Sequence, residues 1–161
     1  MPAYAAEATP KAVTEAVTET EDSVFIDEVT LAATGCGSTC DGKDPSSFKI
    51  YDSGCSTCYH YCVDDAIIPQ LSDGYVYTTS DSTGSVSLRY SPRCRTAWAK
   101  TTSSAVQFKV VSRNSSGSHR LTMLSNSPDT YTAMVNDAGY EAQACYYPQG
   151  PSSGWRCTRW W

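Results

Sequence analysis

Eight cysteines, all placed after residue 35, constrain this 161-residue chain more than any other feature. An even cysteine count in a small chain rich in serine and threonine reads as a disulfide framework, and so as the product of an oxidising compartment. Other sources of stability are thin. Leu, Ile, Val and Phe total only 23 residues, a share low enough that disorder becomes an option unless something else holds the chain. Eleven Tyr and four Trp supply large buriable surfaces, and bridges restrict the unfolded state. Forty Ser and Thr favour strands and polar turns over long helices. The length suits one domain with one core. A net charge of −5 argues against a nucleic-acid backbone as the main partner. No apolar run is long enough to span a bilayer. No basic stretch followed by an apolar one opens the chain, so Met1 reads as a start that replaces a removed signal.

Charge divides the chain unevenly. Residues 1–34 carry seven acids (Glu7, Glu15, Glu19, Glu21, Asp22, Asp27, Glu28) against Lys11 alone, while the rest is nearly balanced. This predicts an acidic extended arm over 1–34 and a cysteine-stapled β domain over 35–161. Within the arm, Thr9-Pro10 is placed to open a short helix running to Glu19. The stretch VFIDEVTL (24–31) alternates as a strand with apolar residues on both faces. Such a strand adds to a partner's sheet edge or groove, making Val24, Phe25, Ile26 and Val29 candidate partner-binding residues. The alternatives are pairing with the protein's own sheet, or a leftover pro-segment.

Beyond the cysteine-rich segment, strand signals recur at 48–51, 75–79, 85–90, 96–100, 106–113, 120–124, 131–135, 141–147 and 155–161. Polar turns such as DSTG (81–84), NSSGS (114–118) and NDAG (136–139) separate them. The expected fold is all-β, a small disulfide-stapled antiparallel sandwich or barrel. Cys145 and Cys157 lie on neighbouring strands across a Pro/Gly turn, which makes them a bridge candidate.

The segments CGSTCDGKDP (36–45), CVDDA (62–66) and above all SLRYSPRCRTAWAK (87–100) resemble the YjfA-like family of small secreted Gram-positive proteins. TAMVNDAGYEAQAC (132–145) and the closing Cys157-Thr158 are similar to its longer members. The resemblance covers 36–161 and omits the arm. It implies secretion and disulfides, with Cys36, Cys40, Cys62 and Cys94 forming two shared bridges and Cys55 left to pair with Cys58. It implies no catalytic residues. Members with an N-terminal extension are similar to the adaptor family of the umbrella toxin particles secreted by streptomycetes, in which an adaptor joins a repeat-ring scaffold to a lectin.

Several chemistries have some of their residue types in this chain. Cys36, Cys40, Cys55, Cys58, His60 and Cys62 have ligands enough for tetrahedral zinc, but disulfides compete for the same sulfurs outside the cell, and no metal or cofactor is expected. Cys55-Ser-Thr-Cys58 has the spacing of a redox dithiol without the surrounding strand-helix pattern, so a structural bridge is expected there. There is no G-x-S-x-G, and His60 and His119 are the sole histidines available for a hydrolase, or for a nuclease with Arg120 on the phosphate. Asp41–Asp44 and Asp64-Asp65 lack the spacing of an EF-hand calcium loop.

Arg89, Arg93, Arg95 and Lys100 interleave with Tyr90 and Trp98. The simpler role for these bases is local pairing with Asp64, Asp65 or the arm; as an aromatic-basic face they offer Arg93 and Arg95 for partner contact. Three Trp among the last seven residues leave Trp160 as the exposed one if the segment is a strand. The resulting expectation is a secreted, non-enzymatic adaptor that binds protein partners, such as scaffold and lectin subunits, through its arm and this face. The alternatives are a secreted toxin or protease inhibitor, and a carbohydrate-binding module.

Overall fold

A computed structural model describes residues 23–102, 107–125, 129–148 and 154–161. The expected helix at 10–19 lies outside them. Two four-stranded antiparallel sheets form a sandwich. One contains β4 (Thr78–Asp81), β5 (Gly84–Ser91), β6 (Thr96–Lys100) and β9 (Val135–Asn136), in the order β4-β5-β6-β9. The other contains β7 (Gln107–Asn114), β8 (His119–Ser125), β10 (Tyr140–Tyr147) and β11 (Arg156–Cys157), in the order β11-β10-β7-β8. Neither sheet closes on itself.

The sandwich follows from strict alternation. On β5, Gly84, Val86 and Leu88 are buried while Ser85, Ser87 and Arg89 sit nearer the surface; on β7, Phe108, Val110 and Ser112 turn inward. Ala97, Ala99, Ala142 and Ala144 face the same core, where Tyr77, Phe108 and Tyr146 supply bulk. The NSSGS turn closes the β7–β8 hairpin, with Gly117 at positive φ and the Asn114 N–H donating to Ser118 O at 2.8 Å.

A second core sits beside the first. Here a small sheet, β1 (Ser23–Ile26), β2 (Lys49–Asp52) and β3 (Tyr59–His60), runs in the order β1-β2-β3. β1 pairs with β2 in parallel, while β2 and β3 are antiparallel. Val24, Leu31, Phe48, Ile50, Trp98 and Met134 pack here around Cys36, Cys40, Cys62 and Cys94. β6 serves both cores: Ala97 and Ala99 face the sandwich, and Trp98 between them faces the small sheet.

Residues 23–34 differ from the sequence expectation. The strand stops at Ile26, and α1 (Glu28–Thr34) follows. Asp27 caps the helix: its carboxylate accepts from the Thr30 N–H and the Thr30 hydroxyl, each at 2.9 Å. Those bonds hold the carboxyl below its ordinary range, the backbone one foremost. Alternation of apolar residues through 24–31 masked this cap, although Asp27, Glu28 in the first turn and Gly35 after the last all mark a helix. The arm as read from charge therefore ends inside the folded body. β1 lies on β2, and Val24 and Leu31 are buried in this chain's own core, which leaves Val24 committed to folding.

All eight cysteines are bridged: Cys36–Cys40, Cys55–Cys58, Cys62–Cys94 and Cys145–Cys157. No described helix is long and apolar enough to cross a membrane.

Candidate interaction site

The join between the N-terminal segment and the body is held by a glycine turn and two arginines. Gly35 takes φ +64 just past the helix, and a Cβ there would collide with Cys94 O and the Arg95 side chain. Glycine alone lets the chain turn there and press against 94–95, where the Cys36 N–H donates to Cys94 O at 3.0 Å. Two arginines hold the helix from the same side. Arg93 Nη2 meets Glu28 Oε1 at 2.7 Å, and Arg95 Nη1 donates to Ala33 O at 2.8 Å. The second contact sets a cation on a carbonyl of the last helical turn, where charge and geometry both favour it. Arg95 reaches it from a left-handed backbone (φ 56), braced by its N–H donating to Ser91 O at 2.7 Å. Asp65 supports the turn, accepting from the Ser91 hydroxyl at 2.6 Å and from the Arg93 N–H at 2.9 Å.

Beside this clamp the outer face of the small sheet carries an aromatic ladder. Register sets Phe25 opposite Tyr51 and Tyr51 opposite Tyr59. The Phe25 and Tyr51 rings stack at 4.7 Å, Tyr51 and Tyr59 lie 5.3 Å apart, and Tyr59 meets Tyr61 edge-on at 5.5 Å. Lys49 Nζ lies over Tyr59 at 4.8 Å. A directly opposed aromatic pair on antiparallel strands, as Tyr51 and Tyr59 are, stabilises a sheet by about 0.2–1 kcal/mol. On α1, Val29 projects outward, 80% exposed. A hollow of about 250 Å³ lies between strand and helix, lined by Phe25, Ile26, Asp27, Thr30 and Ser53 among others.

The candidate residues thus divide. Val29 is exposed on α1, Phe25 is half-buried at the end of the aromatic ladder, and Ile26 packs against the second core. Arg93 and Arg95 are engaged with α1, the local pairing with the arm. Trp160 lies elsewhere, half-buried beneath the Arg113 guanidinium at 3.9 Å, while Arg113 is itself bound to Glu141 at 2.6 Å. Trp161 packs edge-on against Tyr77 and Tyr90, and Trp155 lies under Lys109 at 4.0 Å. The chain end keeps pairing with β10 after Cys157 (the Trp161 N–H donates to Ala142 O at 2.8 Å), so the terminal tryptophans line the sandwich rim.

His119 and Arg120 lie on β8 and His60 lies on β3. Arg120 is held bidentate by Asp41 at 2.8 and 2.9 Å, also donates to Ser112 Oγ and Asn136 O, and lies over Tyr140, which ties its guanidinium to the fold. His119 contacts Thr122 Oγ1 on β8, while His60 contacts Cys94 Sγ from β3. Cys36, Cys62 and Cys94 do bring their sulfurs within 4.8 Å of one another, but all three are spent in bridges. Tyr51, Tyr59 and Tyr61 were not singled out in the sequence. The signal available was the alternation of Tyr59 and Tyr61 in YHY.

The class defined so far is a disulfide-stapled β-sandwich with a second, cysteine-centred core that anchors its N-terminal segment. The family described as "Protein of unknown function (DUF2690)" matches residues 38–145, and the chain belongs to it. β1 and α1 precede the matched span, and Cys157 follows it. Comparisons with curated proteins and with solved structures returned no match.

Proposed function

We propose that this protein is an extracellular, non-enzymatic adaptor, in which residues 1–22 act as an acidic tether and the surface around Phe25, Tyr59 and Val29 receives part of the same partner. Four bridges fit an oxidising, extracellular setting. The observation that carries the reading is the anchoring of the N-terminal segment. Parallel pairing of β1 on β2, the Glu28–Arg93 ion pair and the Arg95–Ala33 contact give the tether a rigid base. Five acids against Lys11 in 1–22 suit a partner groove lined with bases. Linking a tether contact to a body contact raises avidity through effective concentration.

The YjfA-like resemblance makes a secreted antibacterial toxin particle the natural setting, with a repeat scaffold and a lectin as partners. The test is deletion of residues 1–22, leaving Ser23 onward intact, followed by co-purification with the scaffold from culture supernatant. The expected result is loss of scaffold binding with all four bridges retained. Undiminished co-purification of the shortened protein overturns the tether.

A further inference from the structure

We propose that Cys55–Cys58 is a thiol-exchange site, attacked at Cys58 by a low-molecular-weight thiol, while the other three bridges stay closed. The four bridges differ sharply in surroundings. Cys40, Cys62, Cys94 and Cys145 are fully buried and Cys36 nearly so. Cys58 is exposed, and it opens onto a hollow of about 160 Å³ lined by Asp52, Tyr59, His60 and Arg93.

Arg93 and His60 are the lining residues that bear on the exchange. Arg93, half-exposed and ion-paired with Glu28 through Nη2, lines the hollow with the rest of its guanidinium, which offers N–H donors to an incoming thiolate and to the carboxylates such thiols carry. The Asp52 carboxylate, also in the lining, accepts from the Gly54 N–H at 2.9 Å and keeps its negative charge, so the attraction of an incoming anion rests on Arg93. His60 is kept toward its neutral form, by burial first and by the nearby Arg93 charge second. Its Nε2 lies 3.9 Å from Cys94 Sγ, so the ring separates the open bridge from the closed Cys62–Cys94 bridge behind it.

Direction follows from the leaving group. Cys55 Sγ lies 3.7 Å from the Thr57 hydroxyl, a donor for a thiolate formed there. An incoming thiolate bonds to Cys58 Sγ; the Cys55–Cys58 bond breaks, and its electron pair leaves on Cys55 Sγ. The product is a mixed disulfide on Cys58, with no net oxidation. A second thiolate attacking the external sulfur of that mixed disulfide releases the oxidised small thiol and leaves both cysteines reduced, a two-electron reduction drawn from two thiols. Cys157 is exposed as well, but attack there must expel a thiolate at Cys145, which is fully buried.

The experiment equilibrates the intact oxidised protein in graded mixtures of reduced and oxidised glutathione without denaturant, alkylates it, and maps the labelled cysteines by peptide mass. Cys55 and Cys58 are expected to label together while the other six stay bridged, with an exchange constant at least about tenfold more favourable to reduction, roughly 30 mV for a two-electron couple. In parallel, brief exposure of the oxidised protein to reduced glutathione followed by acid quench is expected to trap glutathione on Cys58 about tenfold more often than on Cys55. Opening of all four bridges at one midpoint, prior opening of Cys145–Cys157, or equal trapping of glutathione on Cys55 and Cys58 overturns the proposal.

Discussion

The two cores of this molecule are built from different materials. In the sandwich, Val86, Leu88, Phe108, Val110, Tyr77 and Tyr146 interdigitate across a floor of alanines, and no bridge crosses between the two sheets. Beside it, four of the ten residues of the second core are cysteines, and the Cys62–Cys94 bridge ties its 3-10 turn to the 91–95 turn that carries Arg93 and Arg95. Sparse aliphatic content therefore does not thin the protein evenly. The aliphatics are spent where two regular sheets can interdigitate, and sulfur is spent where short, irregular segments cannot bury enough surface to hold one another.

Three measurements bear on that division. Phe108→Ala carries the largest expected effect, about 3–5 kcal/mol lost in denaturant unfolding, because a full ring is removed from a core with no covalent substitute. A loss below about 1 kcal/mol means bridges also hold the sandwich, and the contrast breaks. Replacing Cys62 and Cys94 together by Ala comes next, at about 3–4 kcal/mol, since that bridge closes a separation of 32 residues. Proteolysis of this variant is expected to begin within 23–62 while the sandwich strands resist; simultaneous loss of both regions shows one cooperative core instead.

The smallest effect sharpens the boundary between the cores. Asp137 follows β9, its N–H donating to Arg95 O at 2.8 Å, and its Oδ1 has no hydrogen-bond partner. Burial pushes this carboxyl from 3.8 up to about 8, against the pull of Arg120 and Arg95. The folded state then holds a proton that the unfolded chain releases near pH 4, so Asp137 costs stability progressively as pH rises from about 4 to about 8, and the cost is constant above that. Asp137→Asn is expected to match the parent at pH 4 and to exceed it by at least about 1 kcal/mol at pH 8. A constant difference across that range shows that the carboxyl does not titrate in the folded protein.

Much of the sandwich was legible because alternation is a local property. The expected strands at 85–90, 96–100, 106–113 and 141–147 all appear, shifted by no more than a residue or so at their ends. Cys145 and Cys157 are Cα partners across β10 and β11, as neighbouring strands require. Weaker signals faded. The segment 75–79 contributes only its end to β4, and 131–135 enters the sheet only at Val135, because their remaining residues are claimed by isolated contacts such as Gln70 with Val76 and Lys100 with Tyr131. β3 was missed, being two residues long and defined only by its pairing with β2.

By itself the sequence determined the all-β character, the turns and the dependence on sulfur, since each is written in neighbouring residues or in composition. Where the N-terminal segment ends and the body begins was decided only by the tertiary structure. Charge drew that line at residue 34, but burial of Val24 and Leu31 and the hold of Arg93 and Arg95 on α1 place residues 23–34 with the body. Contacts between residues more than sixty positions apart leave no periodicity in the chain. A segment's charge describes its solvent, whereas its place in a fold depends on what the distant chain offers it.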